Sequence, residues 1–216
     1  MQRDREMLEL ADAGAPPMLR LYRWSRPTLS LGRRQELAEA ADPEALARLG
    51  IVWIRRPTGG RALLHRPDDL TYAFAAPRGT AAGVLGAYRL VMSAIREGLE
   101  PFVVLDPERN AGGRDRAAAR LPCLAVATGH ELAVGGRKLV AGAQRWRRGA
   151  FLQHGSIPWT VDSAMTNRAV GLPADAPLTA VGLAEAAARF PISPESVAAS
   201  MVAAFGRRFA QMGVLA

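Results

Sequence analysis

Lysine is almost absent. Lys138 is the sole lysine in 216 residues, and twenty-seven arginines carry the rest of the basic charge. Cysteine is as scarce: Cys123 stands alone, which excludes an internal disulfide framework. With three well-separated histidines and that one cysteine, a structural zinc site lacks ligands. Nothing resembles a zinc finger, an RNA-binding aromatic signature or a basic zipper. Long apolar runs are missing too, so no stretch approaches the roughly 18 residues of a membrane span. Met1–Glu6 alternates charge where a signal peptide carries an apolar core. A cytoplasmic location is expected.

What remains is an ordinary soluble composition with 49% hydrophobic and 22% charged residues, long enough to bury a sizeable core. The net charge of +8 suits either a nucleic acid or an acidic protein. The arginine bias fits a GC-rich genome, so part of that charge reflects codon usage. A lysine persists under such bias by chance, or where a compact ammonium does what a broad guanidinium fork does not.

The pattern of turns and apolar runs predicts a single α+β domain over residues 1–216. Its mixed, largely antiparallel sheet is flanked by helices, and residues 161–216 are mainly helical. Residues 4–13 read as an amphipathic helix. Leu19–Leu21 and Thr28–Leu31 read as strands around Ser25-Arg26-Pro27. Asp42-Pro43 reads as a helix start, with a stop at Gly50. Ile51–Ile54 reads as a buried strand. Ala62–His65 and Leu70–Phe74 follow as strands, and Gly83–Leu99 as the longest helix. Residues 106–120 read as a loop or frayed helix. Glu131–Val134 and Lys138–Ala141 flank Gly135-Gly136, a tight hairpin signal. Ala150–Ile157 is a further strand. Leu183–Phe190 and Pro194–Gly213 are helices, the latter capped by Ser193.

Three clusters carry polar chemistry. In Arg55-Arg56-Pro57-Thr58-Gly59-Gly60-Arg61 two glycines let backbone N–H groups approach an anion, or simply make a surface turn. Gly136-Arg137-Lys138 continues to Gly142-Ala143-Gln144, small residues that leave room for a bound chain. The alternative for Lys138 is a solvent-facing position beside a turn. Gln153-His154-Gly155 ends an apolar strand, with His154 either lining a pocket or satisfied structurally. Cys123 follows Pro122 and is either a nucleophile or a buried free thiol.

Together these clusters resemble the catalytic domain of the biotin/lipoate protein ligase family. Arg55–His65 with Leu70-Thr71-Tyr72 is similar to its arginine–glycine motif. Gly136-Arg137-Lys138 with Gly142-Ala143-Gln144 is similar to its lysine motif, and Leu152–Ile157 to its histidine–glycine strand. Leu19–Trp24 and Thr28–Gly32 also match. The likeness covers residues 1–160 well and the tail loosely. The position of Cys123, fifteen residues before Lys138, resembles the nucleophile of the cysteine-dependent octanoyltransferases.

The resemblance implies catalytic Cys123 and Lys138. It implies substrate-binding Arg55, Arg56, Thr58, Gly59, Gly60, Arg61, His65, Gly142, Ala143, Gln144, His154 and Gly155. The implied donor is octanoyl–acyl carrier protein. The implied acceptor is a lipoyl domain or the H-type protein of glycine cleavage. Neither cofactor nor metal is implied, and no nucleic-acid or membrane partner. The alternative is an ATP-dependent lipoate–protein ligase, which would need ATP and Mg. Two departures stand out: Gly129-His130-Glu131 lacks the usual aromatic residue before the glutamate, and Leu124 replaces a common phenylalanine.

Overall fold

The structure is a computed structural model that describes residues 1–107, 122–123, 131–187 and 191–211. The reading of 106–120 lies almost wholly outside the described residues, as do His130 and Leu124.

Helix α1 (Gln2–Asp12) turns Met7, Leu8 and Ala11 inward. Strands β1 (Met18–Tyr22) and β2 (Thr28–Leu31) follow. The short α2 (Leu37–Ala40) leads to α3 (Pro43–Arg48). The Asp42 side chain accepts the N–H groups of Glu44 and Ala45, with Pro43 at the first helical position. Next come β3 (Val52–Arg55), β4 (Leu63–His65), β5 (Leu70–Pro77) and α4 (Gly83–Leu99). A hairpin of β6 (Ala133–Val134) and β7 (Arg137–Lys138) turns through Gly135 and Gly136 at φ of 58° and 76°. Both values lie where glycine is favoured. The Asp106 carboxylate accepts both glycine N–H groups, at 2.9 and 2.7 Å. Strands β8 (Ala141–Trp146) and β9 (Ala150–Ile157) precede α5 (Ser163–Ala169), α6 (Leu183–Ala186) and α7 (Pro194–Gln211).

Two sheets organise the strands. The larger is antiparallel throughout, in the order β1-β5-β9-β8. The smaller is mixed, in the order β3-β2-β4, with β2 parallel to β3 and antiparallel to β4. The expected mixed α+β architecture is therefore present, divided between two sheets and the β6–β7 hairpin.

Alternation along β5 explains the layering. Tyr72 and Phe74 face α4 and α7, in a core with Ile95, Leu99, Phe151 and Phe205. Ala73 and Ala75 face the opposite way, where their small side chains let α1 lie close with Met7 and Leu8. No helix among the described residues is long and apolar enough to cross a membrane.

One expectation is corrected. The strand read as buried over Ile51–Ile54 is the edge strand β3, with Val52 39% and Trp53 45% exposed. An apolar run signals a strand but not which of its faces is covered. Two helices, α2 and α5, were not anticipated. Helix α6 ends at Ala186, earlier than expected, and residues 188–190 lie outside the described residues.

Candidate active site

Lys138 is the most telling side chain, a lysine only 1% exposed. Such burial is rare for this residue type unless it is paired. Its backbone is clamped from two sides. The β6–β7 hairpin pairs it with Ala133. The segment before α6 supplies a bond from Lys138 N to Thr179 O at 3.1 Å and from Val181 N to Lys138 O at 3.0 Å. The ammonium is well partnered. It pairs with the Glu131 carboxylate at 2.6 Å, donates to the Cys123 carbonyl at 2.8 Å, and approaches Cys123 Sγ at 3.8 Å. Cys123 is half-buried and held against β4 by its N–H, which donates to Ala62 O at 2.9 Å.

Cys123 lines a narrow, mainly apolar cavity that opens to solvent. The cavity lies between the two sheets. The smaller sheet contributes Ser30, Leu63 and His65, and the larger contributes Tyr22, Thr71, Ala141, Gly142, Ala143, His154 and Gly155, with Met1 and Arg56 completing the wall. Glycine is required at two wall positions. A Cβ at Gly155 would lie 1.8 Å from Ala141 O and 2.6 Å from Tyr72 Oη, and one at Gly142 would lie 2.7 Å from Tyr72 Oη.

The arginine–glycine loop acts differently from a simple anion cradle. Arg56 is 5% exposed. Its guanidinium donates to Gly59 O at 2.8 and 3.1 Å, Ser30 O at 2.8 Å, Ser30 Oγ at 3.2 Å and Arg61 O at 2.6 Å. All five donors of the fork are thus spent on binding the loop to β2. Among the described residues no carboxylate pairs with that charge. Burial lowers the Arg56 proton affinity, and attraction to Cys123 opposes that. Lys138 thus lies against the sulfur, and Arg56 is a second cation at the wall that Cys123 also lines.

A second polar chain fixes the loop from behind. Thr58 Oγ1 lies 2.6 Å from His154 Nε2, and His154 Nδ1 lies 2.9 Å from Asp4 Oδ2. A neutral imidazole that donates from Nδ1 to the carboxylate and accepts from Thr58 satisfies both contacts. Arg20 and Tyr22 donate to Asp4 at 2.9 and 3.2 Å. Burial lowers the His154 proton affinity, against the pull of Asp4. For Asp4, burial pushes the carboxyl up, yet the hydrogen bond from His154, with the charges of the N-terminus and Arg20, holds it below its ordinary value. His65 is bonded to Ser30 Oγ at 2.8 Å through Nε2 and stacks on Trp24 at 4.4 Å. Burial, reinforced by the Arg56 charge, drives its proton affinity well down.

Of the residues singled out from sequence, Cys123, Arg56, His65, Gly142, Ala143, His154 and Gly155 line the cavity. Lys138 sits against the sulfur. Thr58, Gly59 and Arg61 support the wall through the bonds just given. Arg55 points elsewhere, donating to Gln35 O and pairing with Glu36 at 3.7 Å. Gln144 bonds to Gln153 and Trp146, each at 2.8 Å, and does not line the cavity. Sequence reasoning passed over Asp4 and met Glu131 only as the glutamate of the resemblance, without a role. Each matters through a partner folded against it.

A sequence model of the lipoyl protein ligase A/B catalytic domain matches residues 1–206. The chain is 35% identical over 176 residues to an octanoyltransferase LipM of Moorella thermoacetica, covering 79% of this chain and 63% of that one. It is 40% identical over 154 residues to an octanoyltransferase LipM of an Exiguobacterium species, covering 68% and 55%. The chain therefore spans less than two thirds of the length of these curated relatives. A crystal structure of lipoate-protein ligase A bound with ATP shares the fold, with a TM-score of 0.79 at 20% identity over 96% of this chain and 78% of that one.

Proposed function

The chain belongs to the lipoyl protein ligase A/B catalytic-domain family, and from that premise we propose that it is an octanoyltransferase of protein lipoylation. It moves octanoate, or a related medium-chain acyl group, from acyl carrier protein to a lysine of a lipoyl domain or an H-type protein. The reaction runs through a thioester on Cys123 and needs no cofactor. The observation that supports this most is the 3.8 Å approach of Lys138 Nζ to Cys123 Sγ at the wall of a mainly apolar cavity.

The sulfur attacks the donor carbonyl, and the bond to the carrier sulfur breaks. The proton released by the Cys123 thiol goes to the departing carrier thiolate. The acceptor amine then attacks the enzyme thioester, an amide forms, and the amine's proton returns to the Cys123 sulfur. Negative charge collects on sulfur and on the carbonyl oxygen in both halves. Lys138 is already placed against the sulfur, so its charge needs no reorganisation when that happens. The acyl chain has the small-residue wall of Ala141, Gly142 and Ala143 to lie against.

Incubation with octanoyl–acyl carrier protein in the absence of ATP, followed by intact mass spectrometry, tests the reading. A covalent octanoyl adduct on Cys123 is expected. Acceptor modification that requires ATP and free acid, with no adduct, would move the chain to the ATP-dependent ligases.

A further inference from the structure

Ten of the twenty-two described arginines are paired with a carboxylate. Those at positions 3, 20, 23, 48, 55, 66, 137, 147, 207 and 208 each meet a carboxylate. Among the described residues, Arg33, Arg34 and Arg145 form no ion pair. They nevertheless sit together. The Arg145 guanidinium is lowered by desolvation first, and then by the charges of Arg33, Arg147 and Arg34. Arg33 and Arg34 are exposed and Arg145 is half-buried. Like charges held near one another without counter-charge are costly, and an external anion relieves that cost.

The place of this cluster ties it to the cavity. Gly32, next to Arg33, packs on Gly60, and a Cβ at Gly60 would lie 3.8 Å from the Cβ of Ala143, a cavity residue. Arg33 N donates to Thr58 O at 2.8 Å, which fixes the start of the arginine pair to the loop. Arg145 lies on the same face of β8 as Ala141 and Ala143, so it stands roughly 14 Å along the strand from Ala141 and roughly 7 Å from Ala143. Strand β8 is an edge of its sheet, and its outer side pairs with no strand among the described residues. An edge strand presents backbone N–H and C=O groups to whatever lies along it.

We propose that Arg33, Arg34 and Arg145 form an anion subsite for the phosphate of the acyl donor, whose pantetheine-type arm lies along the open edge of β8. This rests on the acyl-transfer reading above. The arm fits in length and chemistry. It joins sulfur to phosphorus through about a dozen bonds, and backbone-like bond lengths give it a reach of roughly 15 Å, close to the span from Ala141 to Arg145. Its two secondary amides match the hydrogen-bonding pattern of a strand edge. Guanidinium groups are well suited to phosphate at the far end.

Titration calorimetry on the whole chain tests this with three probes: S-octanoyl phosphopantetheine, S-octanoyl pantetheine without phosphate, and ATP. The phosphorylated thioester is expected to bind about tenfold more tightly than the unphosphorylated one, as for a charge-assisted contact. That ratio should shrink as salt rises. In the triple variant Arg33→Gln/Arg34→Gln/Arg145→Gln it should fall to near one. Equal affinity of the two thioesters for the native chain would overturn the proposal. So would a ratio unchanged in the triple variant, or ATP outcompeting the phosphorylated thioester through the same arginines. The ratio decides the subsite by itself. If Cys123 is acylated by neither thioester, the transfer reading fails while the ratio still reports on the arginines.

Discussion

Replacing Lys138 by methionine separates what its charge does for folding from what it does for chemistry. The side chain is close in length but uncharged. In the native chain the ammonium lies 2.6 Å from a Glu131 carboxylate, with side-chain exposures of 1% and 6%. Lys138→Met leaves that carboxylate buried without its cation, a change that costs about 3–5 kcal/mol. The charge-assisted bond to the Cys123 carbonyl at 2.8 Å is lost as well. Against a total stability of about 5–15 kcal/mol this is a large fraction. The urea midpoint should fall by roughly 1–2 M. Acyl transfer should fall at least about 10²-fold, the scale of losing one preorganised donor to developing charge.

The double variant Lys138→Met/Glu131→Leu makes the test sharp. Removing both charges takes away the unpaired carboxylate, so most of the lost stability should return, because a buried pair is about neutral against apolar residues of similar volume. Activity should not return, since the sulfur still has no ammonium beside it. Urea denaturation and octanoylation of a lipoyl domain are measured on all four members of the cycle. Three results would refute the reasoning. A loss below about 1 kcal/mol in Lys138→Met would mean that the pair is solvated in solution. A double variant as unstable as the single would remove Glu131 as the cause. Near-normal transfer by the double variant would remove Lys138 from the chemistry.

Cys123→Ser should keep the fold and form no acyl adduct, because a serine hydroxyl without a partnered base is a poor nucleophile; intact mass spectrometry after exposure to octanoyl–acyl carrier protein checks it, and a normal adduct would exclude the thioester. Lys138→Arg should fail to restore transfer although the charge is kept, since a broad fork cannot occupy a site closed around a point cation by Glu131 and Cys123; transfer above about a tenth of native would argue for open space there. Stability should rise as pH climbs toward about 6.5. His65 and His154 bind protons more weakly when folded than the ordinary 6.5, so the unfolded chain takes up more protons as pH falls below that value. Asp69, raised by burial from 3.8 to about 7, works the other way, losing stability as pH climbs. Two histidines against one aspartate leave a net rise with pH, and His65→Gln should flatten it; an unchanged slope in urea midpoints from pH 5 to 6.5 would contradict the burial of that ring.

The parts of this fold that were legible in the sequence are those written in local chemistry. Asp42-Pro43 caps α3, Gly135-Gly136 turns the hairpin, and the strand read over Ala150–Ile157 matches β9 to the residue. The meeting of Cys123 with Lys138 was legible only through family resemblance, since nothing in the fourteen intervening positions dictates it. What escaped was the set of facts that depend on which surfaces face each other. Val52 and Trp53 have the composition of a buried strand, but pairing parallel to β2 leaves β3 at an edge. Helix α5 does carry a readable cap, Asp162 accepting from Met165 N–H at 2.9 Å, yet seven residues are too few for a periodic signal.

The polar wall makes the same point from the side of the site. Arg56 reads in sequence as a cation offered to a ligand, and folding instead directs its five donors to Gly59, Arg61 and Ser30. Asp4 reads as one more charge on a polar helix, and folding brings it 2.9 Å from a histidine 150 positions away. In both cases the side chain's type was visible and its partner was not. The consequence for function is specific. Arg56 is occupied in holding the shape of the loop, and its charge stays at the cavity wall that Cys123 also lines. On the proposal above, anion recognition falls to Arg33, Arg34 and Arg145, outside the motif, which pair with no carboxylate among the described residues.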